Sequence, residues 1–147
     1  MTNLFGPPKP VQINDRFLED YLIHRSGKNE PMRSKSEVII ADSLAEAKIE
    51  YFYEQTLTGS DGYVRYPDFT IEDADSGNAY YWEHLGLLDN EQYKSRWERK
   101  LAWYREQNIL PREEGGGEKG TLIMTRDAPN GGISSRDIKL LIKEIWG

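Results

Sequence analysis

Three strand-forming segments separated by two turns constrain the fold of this chain most strongly. Residues 50–58, 63–72 and 79–85 are rich in aromatic and β-branched side chains, as is typical of strands. The segments between them, 59–62 and 75–78, carry the Gly, Asp, Ser and Asn residues that favour turns. The spacing therefore predicts three consecutive strands, the last two of which form a hairpin.

Four segments with helical signals surround these strands. A short helix is expected from Asn14 or Asp15 to near 26–27, and a second begins at Ser34, where Ser34-x-x-Glu37 has the form of a capping box. The longest helix is predicted over 90–108, and Ser134 or Ser135 caps the last one.

The remaining segments complete a predicted α/β domain. Residues 121–125 form a short apolar strand suited to a buried central position, and the glycine-rich run 111–120 is predicted to be a flexible loop. The order α-α-β-β-β-α-β-α predicts a mixed central sheet flanked by helices. Residues 1–12, which contain three prolines, are predicted to be an irregular arm, and 13–147 a single domain.

Composition excludes several kinds of site. The 147 residues contain no cysteine, which excludes disulfide scaffolds, zinc ribbons, thiol catalysis and iron–sulfur clusters. They contain two histidines, His24 and His84, so a site that needs two or three imidazoles is not expected. Any bound metal would need mostly oxygen ligands, which favours Mg²⁺, Mn²⁺ or Ca²⁺. The net charge of −6 argues against an autonomous, tight, non-specific DNA binder. We expect no membrane segment, and a reducing, cytoplasmic environment fits the absence of cysteine.

Two carboxylates are predicted to meet across the hairpin. In a hairpin the numbers of paired residues have a constant sum, and pairing Asp68 with Glu83 centres the turn between Asp75 and Ser76, inside the predicted turn. The two side chains should therefore be opposite or diagonal, with Cβ atoms about 5–8 Å apart. Taken singly, each carboxylate has another interpretation. Asp68 could mark a sheet edge or a β-bulge, and Glu83 could be a solvent-exposed residue that pairs across the strands.

A third carboxylate, Glu37, is predicted to face the interior. It lies on the same helical face as Ile40, Ala41 and Leu44, so it begins the buried stripe of its helix. Alone, it could simply close the capping box with Ser34. Three convergent carboxylates would repel one another, and a cation would offset that repulsion. Taken together, the three acids predict a divalent-metal site of the kind that serves phosphodiester hydrolysis.

The same residues carry a resemblance to a known family. Glu37 on a helix, Tyr66-Pro67-Asp68-Phe69 in a hairpin strand and Trp82-Glu83-His84 in the next strand resemble the PD-(D/E)xK nuclease superfamily. That superfamily has the restriction-endonuclease-like fold and includes transposon-end nucleases of the TnsA kind and helicase-associated nuclease domains. The resemblance implies that Glu37, Asp68 and Glu83 bind Mg²⁺ or Mn²⁺, with the backbone carbonyl of His84 completing the set of ligands.

One position departs from the family pattern. The superfamily's lysine belongs two residues after the second acid, where this chain has Leu85 in the sequence Glu83-His84-Leu85-Gly86, resembling the EHxG variant of some helicase-linked members. Lys100 is the predicted substitute, because it interrupts an aromatic stripe on the long helix. Some members carry Gln-x-x-x-Tyr there, and Lys100-x-x-x-Tyr104 is similar.

Two side chains near this site have an alternative placement. Lys100 could instead extend along its helix to reach water. His84 is a possible accessory group, either as a proton shuttle or as a hydrogen-bond donor to a phosphate. Strand alternation, however, puts it on the face opposite Glu83. Tyr104 is a second possible accessory group.

The predicted function is a metal-dependent endonuclease that hydrolyses DNA by attack of metal-activated water. Glu37, Asp68, Glu83 and Lys100 are its predicted catalytic residues. A helicase or ATPase partner, or a second copy of the chain, would deliver the DNA, and the resemblance implies a role such as repair or phage defence. The alternative is a silent domain of the same fold that binds nucleic acid or protein. A weaker alternative is a structural polar network in an unrelated α/β domain.

Overall fold

The computed structural model describes residues 24–86 and 88–147, which divide into two compact units. Within these residues the first unit comprises 52–125 and the second comprises 24–51 together with 126–147. The predicted N-terminal arm and most of the predicted first helix lie outside the described residues. The end of that helix is wrong, because His24–Arg25 is a short strand, β1, paired antiparallel with β2, Pro31–Met32.

A five-stranded mixed sheet and one long helix make up the first unit. The sheet order is β3-β6-β7-β9-β8. Its strands are Phe52–Tyr53 (β3), Phe69–Glu72 (β6), Ala79–Leu85 (β7), Ile109–Pro111 (β8) and Gly120–Arg126 (β9), whose last residue lies in the second unit. β3, β6 and β7 pair antiparallel, whereas β8 and β9 pair parallel. The predicted mixed sheet and the interior position of the apolar strand are confirmed.

The strands predicted over 50–58 and 63–72 are each divided in two. β4, Leu57–Thr58, pairs with β5, Val64–Arg65, in a separate two-stranded ladder. The interruption falls at Pro67, which lacks an N–H for the ladder, and at Glu54, whose φ of 52° is left-handed. The Glu54 N–H donates to the Asp68 carbonyl oxygen at 3.0 Å, so pairing resumes directly after the break.

The long helix of the first unit is α2, Glu91–Glu106, close to its predicted bounds. Asn90 caps its start by accepting the Tyr93 N–H, and Asn108 in the left-handed region (φ 62°) follows its end. Its buried residues are Trp97, Lys100, Trp103 and Tyr104. The run 111–120 differs from the predicted flexible loop: Pro111 ends β8, Arg112–Glu114 form a 3₁₀ turn and Gly120 begins β9.

The second unit contains two helices that pack together. α1 spans Lys35–Glu46 after the N-cap Ser34, and α3 spans Ser135–Trp146 after the N-cap Ser134, both as predicted. Its buried apolar side chains are Met32, Ile40, Ala41, Leu44, Ile138 and Ile142. None of the helices in the described part of the chain combines the length and apolar character needed to cross a bilayer.

Candidate functional site

The two hairpin carboxylates are positioned by the register of β6 and β7. Phe69 pairs with Trp82 and Thr70 with Tyr81, which is the predicted register, and one further step brings Asp68 opposite Glu83. The Asp68 Oδ2 atom accepts the backbone N–H of His84 at 2.7 Å. The hairpin therefore holds the Asp68 carboxylate beside the backbone that carries Glu83, as the sequence predicted.

Lys100 and Tyr104 both bind the carboxylate of Glu83. The Lys100 Nζ atom lies 2.7 Å from Glu83 Oε2, and the Tyr104 hydroxyl donates a short hydrogen bond to the same oxygen. The two donors are four residues apart, so they lie on one face of α2. The Lys100 ammonium also donates to the Tyr66 carbonyl oxygen at 3.4 Å. α2 thus supplies a cation and a neutral donor to one carboxylate of the sheet.

This polar cluster is buried. The side chains of Lys100 and Glu83 are 5% and 6% exposed, so the alternative in which Lys100 reaches water does not hold. Burial raises the pKa of Tyr104 well above its usual value, and the negative charges of Glu83 and Asp68 raise it further. Tyr104 is therefore a hydrogen-bond donor at neutral pH, while the Lys100 ammonium balances the charge of Glu83.

Aromatic packing around α2 fixes Tyr104. Its ring centroid is 5.5 Å from that of Trp103 and 6.4 Å from that of Tyr81. Leu85, two residues after Glu83, belongs to the same buried apolar cluster as Trp103 and Tyr104. Lys100 therefore extends between the buried aromatic residues of α2, and its ammonium reaches Glu83 in the sheet.

His84 lies on the opposite face of β7, as strand alternation predicted. The Thr125 Oγ1 atom accepts the Trp82 indole N–H at 2.9 Å and is 2.8 Å from His84 Nδ1. Trp82 and His84 therefore share one face, and Glu83 between them points to the other. The imidazole is bound to Thr125 on the face opposite Glu83, so its accessory role gains no support from this geometry. The role of its carbonyl as a metal ligand stays a prediction.

Glu37 belongs to the second unit, where it takes part in the cap of α1. Its backbone N–H donates to Ser34 Oγ at 3.1 Å, and its Oε1 accepts the Arg33 N–H at 3.3 Å. The side chain is buried, as predicted. Ser34 therefore caps the helix as the capping box predicts, whereas the Glu37 carboxylate binds the N–H of Arg33, the residue before the cap. The role of Glu37 as a metal ligand stays a prediction.

The arrangement offers few carboxylate ligands for a metal ion. Across residues 24–86 and 88–147, no three His, Asp or Glu side chains are close enough together to hold one. Asp68 and Glu83 are adjacent through the hairpin, and within those residues the contacts of Glu83 are made at Oε2. One or two carboxylates are sufficient for Mg²⁺ when water and substrate phosphate supply the other ligands. The pair fits that kind of site.

Two groups around the cluster were not predicted from the sequence. The Tyr66 carbonyl binds Lys100, and Thr125 binds Trp82 and His84. Pro67 indicates that the ladder is interrupted beside Tyr66, but it does not indicate that the Tyr66 carbonyl oxygen binds Lys100. The signal for Thr125 was weak: it is a polar residue at the end of an apolar strand, and the strand that holds its partners, Trp82 and His84, is distant in sequence.

Comparison with known proteins gives one relative. Over 90 residues the chain is 31% identical to the uncharacterized protein MJ1519 of Methanocaldococcus jannaschii. The matched region covers 57% of this chain and 7% of that protein. The chain thus spans a small part of the length of this relative. No protein-family model matches the chain. No solved structure matches it either.

Proposed function

We propose that this protein is a divalent-metal-dependent nuclease that hydrolyses DNA phosphodiester bonds. One observation carries the proposal: Glu83, beside Asp68 in the hairpin, is bound at a single oxygen by Lys100 and Tyr104. Two adjacent carboxylates and a buried ammonium are the groups that phosphodiester hydrolysis uses, to bind the metal and to orient water or phosphate. The restriction-endonuclease-like fold is part of this proposal.

Asp68 and Glu83 would hold Mg²⁺ or Mn²⁺, with the His84 carbonyl as a further ligand. Such an ion, when bound, lowers the pKa of water and balances the charge that develops on the phosphate. The chain itself prepares the carboxylates for this task. The His84 N–H fixes Asp68, and the Tyr104 hydroxyl fixes Glu83 at Oε2.

Lys100 would orient the attacking water or the scissile phosphate. Its ammonium is held at 2.7 Å from Glu83 Oε2 and is further fixed by the Tyr66 carbonyl, so it needs little reorganisation to act. A buried cation attracts a phosphate oxygen more strongly than an exposed one, because water screens it less. Lys100 on α2 would thus take the role of the lysine that the superfamily carries on the strand, where this chain has Leu85.

Delivery of DNA would depend on a partner or a second copy of the chain. The chain has a net charge of −6, so long-range attraction to a polyanion is weak. A helicase, an ATPase or a second copy would therefore raise the local concentration of DNA. Action in repair or phage defence belongs to the same proposal.

Cleavage of single-stranded, nicked and supercoiled DNA with Mg²⁺ or Mn²⁺ tests the proposal. Asp68→Asn keeps the shape of the side chain while removing its charge, and should lower the rate at least about 100-fold, with chelation abolishing it. Glu98→Gln makes the matched change on the exposed side of α2 and should cleave like the wild type. Cleavage that survives both Asp68→Asn and chelation would refute the proposal.

The ion pair also favours a second candidate, a silent domain that binds nucleic acid or protein. Lys100 already balances the charge of Glu83, so the pair is stable as a structural element without any metal. Titration with Mn²⁺ separates the candidates. The nuclease should bind the ion in a manner that Asp68→Asn weakens, whereas the silent domain should show no binding that depends on Asp68.

A further inference from the structure

A cavity of about 360 Å³ lies in the first unit beside the C-terminal end of α2. Tyr81 and Trp103 contribute aromatic surface to it, and Leu57 and Ile109 contribute apolar surface. Gln107, Glu106 and Lys119 add polar groups at its edge. This volume and this mixture of aromatic surface with a few polar groups are typical of a site for a small organic ring.

The Trp103 side of the aromatic wall is held in place by several contacts. The Trp103 indole N–H donates to Asp61 Oδ2 at 2.9 Å, and the Arg65 guanidinium lies 4.9 Å from the centre of the Trp103 ring. Gly59 permits this packing, since a Cβ there would come within 2.5 Å of the indole. A preformed wall loses little side-chain entropy when a planar ligand binds to it.

Gln107 presents a defined donor to the cavity. Its Oε1 accepts both the Ser60 N–H at 2.7 Å and the Ser60 hydroxyl at 3.1 Å, which fixes the orientation of the amide. The Nε2 donors therefore stay available to a ligand. Within the described ranges, the side chains of Glu106 and Lys119 make no hydrogen bond or ion pair, so an acceptor and a cation are available as well.

We infer that this cavity binds one unpaired nucleobase of a single-stranded nucleic acid. Aromatic surface stacks with any base, and an amide beside a carboxylate and a cation can bind the donors and acceptors of a base edge and the adjacent phosphate. The cavity shares Tyr81 and Trp103 with the packing around Tyr104, so the base would bind next to the Glu83 cluster. The inference rests on the proposed function in taking nucleic acid as the ligand.

Binding measured without metal tests the inference independently of cleavage. The probes are a labelled single-stranded hexanucleotide, the same strand with abasic positions, and a free nucleoside monophosphate, each titrated in the presence of chelator. The wild type should bind the strand with bases at least about fivefold more tightly than the abasic strand. This factor corresponds to the lower end of the affinity gain expected from stacking one base on an aromatic side chain. Competition by the monophosphate would identify a free nucleotide as an additional ligand of the same cavity.

Two variants direct the test to the cavity. Thr58→Trp fills it from the exposed side of β4, and Gln107→Glu keeps the acceptor for Ser60 while removing the Nε2 donors. Both should abolish the preference for bases. Gln92→Glu makes the same charge change at an exposed position of α2 and should preserve it.

Either proposal can fail alone. Equal affinity for the two strands, no binding of either strand, or a base preference that survives in folded Thr58→Trp protein would overturn the cavity inference. Cleavage that Asp68→Asn abolishes would still support the nuclease. Conversely, base-dependent binding that both cavity variants remove, in a protein that cleaves no DNA and shows no Mn²⁺ binding dependent on Asp68, would keep the cavity inference and overturn the proposed function.

Discussion

Removing the Lys100 ammonium should destabilise the protein far more than removing an exposed lysine. Lys100 and Glu83 are 2.7 Å apart, with side chains 5% and 6% exposed, so Lys100→Met leaves the Glu83 charge in a region that water barely reaches. At an effective dielectric constant of about 20, the attraction lost is roughly 6 kcal/mol. Stranding one member of a buried ion pair typically costs about 3–5 kcal/mol. We expect Lys100→Met to lose that amount from its free energy of unfolding.

A double-mutant cycle separates the ion pair from packing. Glu83→Gln removes the charge while its amide oxygen still accepts the Tyr104 hydroxyl, so the double variant with Lys100→Met leaves no buried charge. The double variant should recover most of the loss, giving a coupling energy of about 2 kcal/mol or more between positions 83 and 100. The variants are compared by urea unfolding, followed by tryptophan fluorescence and far-ultraviolet circular dichroism.

An exposed lysine on the same helix provides the control. Lys94→Met should change the free energy of unfolding by about 0.5 kcal/mol or less. If Lys100→Met also falls within about 1 kcal/mol of the wild type, or if the losses at 83 and 100 simply add, Glu83 and Lys100 do not act as a buried charge pair. The electrostatic account of the cluster would then be refuted.

Two further predictions concern hydrogen bonds away from this pair. Thr125→Val removes the acceptor of the buried Trp82 indole N–H and should lower the free energy of unfolding by about 1–3 kcal/mol. Thr125→Ser keeps the hydroxyl acceptor and should lose much less stability, so equal losses in the two variants would contradict this prediction. Burial and the hydrogen bond to Glu30 raise the pKa of Tyr51 above its usual 10.0, so the folded state keeps this proton when the unfolded state loses it. Stability should therefore fall as the pH rises above about 10, and less steeply in Tyr51→Phe, as urea midpoints measured between about pH 9 and 11 would reveal; identical slopes would refute the assignment.

The hairpin was predictable because its determinants are local. The turn at 75–78 fixes the register, and the register alone puts Asp68 opposite Glu83. The caps of α1 and α3 were predictable for the same reason, since Ser34 and Ser134 stand directly before amphipathic segments.

Elements whose own sequence does not indicate the pairing were not predictable. Residues 109–111 form a strand because they pair with 120–122, and the glycine-rich sequence between them carries no sign of that partner. His24–Arg25 is likewise a strand through pairing with Pro31–Met32, where local periodicity favoured a helix. The Tyr66 carbonyl that binds Lys100 is a backbone group, which sequence patterns do not report.

The position of Lys100 follows from the competition between core packing and charge at the end of β7. Leu85 is 4% exposed and packs with Trp97 and Tyr104 of α2. A lysine at 85 would take apolar surface out of this cluster and bury a second charge there. A lysine on α2 brings its ammonium to Glu83 from the facing helix, while Leu85 stays in the core. The sheet position thus favours stability and the helix position carries the cation. Under the proposed nuclease function, Leu85→Lys should therefore not restore the rate of DNA cleavage in Lys100→Met protein.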